Sequence, residues 1–240
     1  MALTVAAMGG DEVACRDGEA ASALRWWLES GVDVITQEQP RNWLDSHPPA
    51  PAAPQAPVKD APPTDLEGFR AWLSGAADAP LAATGSRPVL PQGAQGAGVM
   101  LLAEPPGRDE AAAGSPIGGE AWELTQRMLA AIGITPTEAY FANLACFYSP
   151  GAKLSPEQLY DCGDSARRHI ALAMPKRLLL LGDAPAKALL GKPLIEARGH
   201  VHLVEGVRTI ATFHPRFLLT RPSEKARAWS DLLLLMEEPS

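Results

Sequence analysis

The chain is short of cysteine, of positive charge and of long apolar runs, and each shortage excludes something. Three cysteines in 240 residues, Cys15, Cys146 and Cys162, are too few and too odd in number for a disulfide-stapled scaffold and read as reduced thiols. No stretch reaches the roughly 18 apolar residues that a membrane-spanning helix needs. The runs 178–181 and 232–235 have the length of core elements. The first residues lack a basic segment followed by an apolar one, so no secretory leader is expected. The expectation is therefore a cytoplasmic monomer with no membrane contact. Lys and Arg number 21 against 28 Asp and Glu, a net charge of −7. That balance disfavours a protein that coats nucleic acid through bulk charge, although a local basic patch remains compatible with DNA. A GxxxxGK[ST] phosphate loop is also missing, which disfavours a nucleotide hydrolase of that kind.

Proline, by contrast, is plentiful, with 23 residues unevenly placed, and it divides the chain into three parts. Residues 1–45 hold one short amphipathic pattern, Leu24, Trp27 and Leu28 at i, i+3, i+4 spacing before Gly31. Trp26, Ile35 and Trp43 add apolar anchors. So small a segment cannot bury its own face, so it is expected to dock on its own domain or on a partner protein. Residues 46–64, SHPPAPAAPQAPVKDAPPT, carry seven prolines in nineteen residues and predict an extended spacer. Residues 65–240 form the domain.

Within it, Leu66, Phe69, Trp72 and Leu73 predict a lead-in helix. Apolar runs at 99–103, 140–144 and 177–182 have the character of buried parallel strands, and 201–204 and 209–213 predict two more. Helices are predicted over 120–132, from Ser155 onward and over 184–190. Ser155, Pro156 and Gln158 compose a capping box with proline in the first turn. Ser223 is expected to cap a last helix with Trp229, Leu232, Leu233 and Met236 inward. Strands alternating with helices in this way predict a three-layer α/β/α domain with a mostly parallel central sheet. Ligands of such sheets bind at the carboxyl ends of the strands.

Three loops lie at those ends. The first, 103–110, holds Glu104 and Glu110 around a Pro105–Pro106–Gly107 turn, and suits the orientation of a water or a polar substrate edge. The second ends at Asn143, whose amide can read a carbonyl and a ring N–H together. The third, 214–219, begins with His214–Pro215, where imidazole could donate to a base carbonyl and stabilise a leaving anion. Between 198 and 227 stand Arg198, Arg208, Arg216, Arg221, Lys225 and Arg227 with three histidines, against only Glu205 and Glu224. Of these, Arg198, Arg216 and Arg221 are the expected DNA-backbone contacts.

AEPPG at 103–107, GSPIGG at 114–119, RMLAAIGI at 127–134, YFANL at 140–144, LLLLGDAPAKALLG at 178–191, FHPRFLL at 213–219 and KARAWSDL at 225–232 stand in an order that resembles the family 4 type of bacterial uracil-DNA glycosylase. The resemblance implies the uracil-DNA glycosylase fold and hydrolysis of the N-glycosidic bond of uracil, or a related deaminated base, flipped out of single- or double-stranded DNA. It implies Glu104 and His214 as catalytic, and Pro105, Glu110, Ile117 and Asn143 as base-binding. Two departures accompany it. Pro105 stands where the family has Gly or Ala, which removes a backbone N–H, and Ile117 stands where the family stacks a Phe on the base. The family also holds an iron–sulfur cluster on four cysteines. Cys146 and Cys162 match the third and fourth, but Ala76 and Ala79 occupy the places of the first pair, so no cluster is expected. The alternative reading is a catalytically degenerate module of the same fold that binds DNA or a replication or repair partner.

Overall fold

The computed structural model describes residues 63–75, 79–82, 87–148 and 154–237, together with Ser22, Trp26, Glu29 and Ser30. The chain divides into two units, Met1–Ala56 and Pro57–Ser240. In the first, Ser22, Trp26 and Glu29 are helical, and the Ser30 N–H donates to the Trp26 carbonyl at 2.9 Å. The expected pattern at Leu24, Trp27, Leu28 and Gly31 lies outside the described residues, as do Cys15, Ile35, Trp43, Ala76 and all but the end of the proline-rich stretch.

The second unit is built on five strands: β1 (Val99–Ala103), β2 (Ala139–Asn143), β3 (Arg177–Leu181), β4 (His202–Val204) and β5 (Val207–Thr212). Their order is β2-β1-β3-β5-β4. All neighbours are parallel except β4, which forms an antiparallel hairpin with β5. The helices are α1 (Leu66–Gly75), α2 (Arg108–Ala113), α3 (Gly119–Ala131), α4 (Pro156–Ala173), α5 (Asp183–Leu190), α6 (Leu194–Ala197), α7 (Pro215–Thr220) and α8 (Lys225–Met236).

Alternation along the strands sends side chains to opposite faces, and both faces are covered. Met100, Leu102, Tyr140, Leu178 and Leu180 pack with Cys162, Ala166 and Ile170 of α4 and Ala186 and Leu189 of α5. Val99, Leu101, Phe141, Leu179, Leu181 and Ile210 pack with Ala121 and Leu129 of α3 and Leu232 and Leu235 of α8. Burial on both faces explains why these strands read as unbroken apolar runs. The outer edge of β2 is covered by a reciprocal pair, Gln92 N–H to the Phe141 carbonyl at 2.9 Å and Phe141 N–H to the Gln92 carbonyl at 2.7 Å, which removes part of an edge that invites pairing.

The capping box at α4 is formed as read: Gln158 N–H donates to Ser155 Oγ at 3.1 Å and Ser155 N–H to Gln158 Oε1 at 2.9 Å. The expected Ser223 cap is not. Pro222 starts a 3-10 turn, Pro222–Glu224, that takes Ser223 in, and α8 begins one residue later without a side-chain cap. The inward face of α8 also differs, because Ala228, Asp231, Leu232 and Leu235 are buried while Trp229 and Leu233 are exposed. A charged residue at the centre of the buried stripe turns the helix away from its apolar pattern.

One polar group lies in the core beneath α1. His169 Nε2 is 2.8 Å from the Tyr140 hydroxyl, its ring lies 5.1 Å from that of Phe69, and Arg70 Nε donates to the Tyr140 oxygen at 3.3 Å. The tyrosine oxygen accepts from Arg70, and its hydroxyl shares the second hydrogen bond with a neutral imidazole. Burial, with Arg70 nearby, pulls His169 down to about 3. The unfolded chain protonates this residue near 6.5, so it binds the extra proton. Stability is then complete above pH 6.5 and declines as pH falls toward 3, by up to about 1.4 kcal/mol per unit. Urea midpoints are expected to drop between pH 7 and pH 4.5. His169→Gln, which can still bond the tyrosine hydroxyl, should lessen that drop without abolishing it, because another buried histidine, His214, is lowered to about 3 as well; an unchanged slope would place the acid sensitivity elsewhere.

Candidate active site

Because β1 and β3 are neighbours whose following connections leave in different directions, a crevice opens between their carboxyl ends. Glu104 is the first residue after β1, and Gly182 and Asp183 follow β3. Glu104 Oε1 accepts the Asp183 N–H, at the start of α5, at 3.1 Å. Gly182 has φ +107, and a Cβ there would fall on the Glu104 side chain. The glycine thus supplies both the left-handed turn and the room for the carboxylate. Oε2 of Glu104 has no hydrogen bond to another described residue.

His214 follows β5 by one residue. Its φ and ψ of −65° and 139° are extended, as the following proline requires, and its Nδ1 accepts the Arg216 N–H at 3.1 Å, capping α7. An Nδ1 that accepts leaves the ring proton on Nε2, and that buried nitrogen is without a partner among the described residues. Burial, with Arg216 beside it, pulls His214 down to about 3. The ring is therefore a neutral N–H donor throughout the ordinary pH range.

Glu104 and His214 line one cleft of ≈360 Å³ with Gly182, Asp183, Pro193, Leu194, Ile195, Phe213, Arg216 and Phe217. Asn143, last residue of β2, stands in register beside Ala103. Its Nδ2 donates to the Glu104 carbonyl at 2.8 Å and to the Pro116 carbonyl at 3.0 Å. Two acceptors on one side fix which way the amide is turned and leave Oδ1 buried with no partner among the described residues.

The other residues singled out from the sequence are placed differently. Glu110 is 0% exposed. Its carboxylate accepts the N–H of Gly107 at 2.9 Å and of Gly118 at 3.4 Å, and pairs with Arg216 Nη1 at 3.3 Å. Glu110 and Arg216 thus bind the first loop to the third rather than facing open solvent. Ile117 is buried with Ala103, Ala121 and Leu181, and Pro105 is half-buried. Arg198 is drawn inward by Asp231, at 3.0 Å, and its guanidinium lies 4.9 Å from the Phe213 ring centre. Arg208 donates to the Leu234 carbonyl at 2.9 Å, while Arg221 is exposed.

Sequence reasoning missed two acids. Asp183 accepts the Leu194 N–H at 2.9 Å and pairs with Lys187 at 2.5 Å, tying α5 to the turn that opens α6. Burial raises its carboxyl, but these partners outweigh burial and hold it below the usual range. Asp231 accepts from the Thr212 hydroxyl at 2.8 Å, the Gly199 N–H at 3.1 Å and Arg198. Burial holds its carboxyl above the usual range against those bonds. The KARAWSDL segment placed Asp231 in a family motif, but nothing in its neighbours showed that it points inward.

Cys146 and Cys162 are buried, and neither is in a disulfide. Burial, with Cys162 close by, pushes Cys146 up to about 12, and burial, with Asp161 close by, pushes Cys162 up to about 12. In the metal-free chain both are therefore thiols, and they are two ligands short of the four that a cluster takes. Ala79 packs into the same apolar cluster as Cys146, Phe69 and Phe147. Among the described residues, no three metal-ligating side chains converge. This donor set does not fit a four-thiolate cluster.

Comparison with known proteins gives the family. Residues 90–233 match the sequence model of the uracil DNA glycosylase superfamily. A type-4 uracil-DNA glycosylase of Archaeoglobus fulgidus is 31% identical over 150 residues, which cover 58% of this chain and 75% of that protein. The type-4 enzyme of Pyrobaculum aerophilum is 25% identical over 181 residues, 71% of this chain and 92% of the other. That of Thermotoga maritima is 28% identical over 134 residues, 54% and 70%.

A Cβ at Gly107 would collide with the Arg216 guanidinium. Gly107→Ala is therefore expected to displace Arg216 and leave the Glu110 carboxylate buried without its cation, a loss on the order of 2–3 kcal/mol after allowing for the solvent that reaches Arg216. Asp109→Ala, at an exposed neighbour, should stay within about 0.5 kcal/mol of wild type. Urea unfolding of the two variants decides whether the clamp is energetically real.

Proposed function

Since the chain belongs to the uracil-DNA glycosylase superfamily, we propose that it hydrolyses the N-glycosidic bond of uracil, or of a related deaminated base, in DNA. The observation that carries this reading is that two of the five buried side-chain atoms without a partner among the described residues, His214 Nε2 and Asn143 Oδ1, belong to residues at the carboxyl ends of β5 and β2. Buried polar groups are almost always satisfied. Here one is a donor on the cleft and the other an acceptor in a separate small cavity that Asn143 lines with Cys146 and His169. The Glu104 loop joins the two: its side chain lines the cleft with His214 and its carbonyl holds Asn143. A uracil flipped from the strand offers the complement, a carbonyl oxygen for Nε2–H and a ring N–H for Oδ1.

In this mechanism, Glu104 is held at Oε1 by the start of α5 and uses Oε2 to orient a water toward the sugar carbon. As the glycosidic bond breaks, negative charge gathers on the base oxygen, and the neutral His214 N–H stabilises it. Asn143 selects the base, because cytosine presents a ring acceptor, not an N–H, to Oδ1. Arg221, exposed beyond α7, is the proposed phosphate contact. The chain works without an iron–sulfur cluster.

A second reading, a DNA-binding module of the same fold without chemistry, is favoured by Ile117: the position where the family stacks an aromatic is buried in the core in this chain. The two readings separate on one assay. Purified protein is incubated with uracil-containing single- and double-stranded oligonucleotides, and abasic sites are cleaved with alkali. Strand breaks are expected, slowed about 10²–10³-fold in His214→Ala; binding without breaks across several deaminated bases would establish the second reading.

The pH dependence follows from the depressed imidazole. The catalytic rate should show no ionisation near 6.5, since His214 stays neutral down to about 3; a limb centred near 6.5 would contradict the neutral-donor role. Protein purified without added iron is expected to be colourless and iron-free, and Cys146→Ala should leave activity intact. A brown protein absorbing near 400 nm would overturn the cluster-free assignment.

A further inference from the structure

The cleft, of ≈360 Å³, is larger than one pyrimidine ring needs, and its lining is mixed in chemistry. Glu104, Asp183, His214 and Arg216 give it polar groups. Pro193, Leu194, Ile195, Phe213 and Phe217 give it an apolar surface. Two of these side chains are left largely open to water, Ile195 at 66% and Phe217 at 41% exposed. They stand on different elements, α6 and α7, and meet on the same cleft.

Phe217 is not a loose side chain. Its ring stacks on Phe213, with centres 5.1 Å apart and planes 20° from parallel. The Phe213 ring in turn carries the Arg198 guanidinium at 4.9 Å, and Arg198 is fixed by Asp231, which is 1% exposed. A column of Asp231, Arg198, Phe213 and Phe217 therefore leads from the core to the cleft mouth. Rigid aromatic surface beside an open groove is what single-stranded nucleic acid uses, because every base has a face to stack. In a duplex the same base would be paired and held in its own stack.

We propose that the Phe217–Ile195 surface is a second base site, a shelf on which the unpaired base next to the target nucleotide stacks, so that single-stranded DNA is the preferred substrate. The occupant is set by continuity: the shelf lies in the same cleft as Glu104 and His214, so the base that reaches it belongs to the strand whose target base is held there. The inference rests on the glycosylase reading for what binds at Glu104 and His214.

The test is a binding cycle with full-length protein and fluorescent single-stranded oligonucleotides carrying one uracil. In companion strands, the base on the 5′ side or the 3′ side of the uracil is replaced by an abasic tetrahydrofuran. Removing one of the two neighbours is expected to weaken wild-type binding about tenfold, within the range for one stacked base. Phe217→Ala should lose the same factor on the intact strand and nothing further on the abasic one, whereas Phe217→Trp should restore the dependence. If Phe217→Ala does not fold, Ile195→Ser takes its place, with the wild-type comparison unchanged. A wild-type affinity indifferent to both neighbours, or equal losses in wild type and variant, would overturn the shelf. Excision is scored separately on the same strands. Uracil release without neighbour dependence refutes the shelf alone, and neighbour dependence without release refutes the glycosylase reading while the shelf stands.

Discussion

The Glu110 carboxylate has no access to solvent, and the geometry of the site follows from how it is satisfied. Its oxygens take the Gly107 N–H from the first loop, the Gly118 N–H from the entry to α3 and the guanidinium of Arg216 from α7. Breaking any of these leaves a buried charge unbalanced, which costs far more than the intact set contributes. The consequence is positional. Glu104 lies three residues before Gly107, and His214 lies two before Arg216, so the clamp limits how far the two proposed catalytic groups can separate.

Asp231 repeats the device on the other side of His214. It holds Thr212 of β5, the Gly199 backbone and Arg198, which packs against Phe213. The residues before and after His214 are thereby fixed by two different buried acids, one on α2 and one on α8. This arrangement also explains the basic richness of the last third of the chain. Arg198, Arg208 and Arg216 all find acceptors within the domain. The expected basic surface is therefore narrower than the residue count implies, with Arg221 and Lys225 among the cations left exposed.

The sheet was legible because its chemistry is local. Residues 99–103 and 178–181 are apolar at every position, which only a strand buried on both faces allows, and the Ser155–Gln158 box is complete within four residues. What escaped depends on distant partners. Asp231 and Arg198 are 33 residues apart and Glu110 and Arg216 still further, so neither pairing could be read from the residues beside it. Placing Trp229 and Leu233 inward left Asp231 out of the pattern, and one buried acid rotates the stripe of a whole helix. Among the site residues, Glu104, His214 and Asn143 could be located by their positions after strands. The Glu104 contact with Asp183 could not, because it joins loops 79 residues apart.

The neutrality of His214 links these elements. An imidazolium would be the stronger donor, but burial and the adjacent Arg216 both oppose it, and Arg216 cannot move away because Glu110 holds it. The clamp that sets the distance between the loops thus also sets the charge of the imidazole. A neutral donor is weaker in water, yet this one is itself buried, on a cleft that also carries proline, leucine and phenylalanine. In the proposed reaction, a base seated there displaces water from that surface, and a hydrogen bond to developing negative charge gains strength as the local dielectric falls. On that proposal, the same apolar surface that offers stacking is what lets an uncharged histidine serve the bond-breaking step.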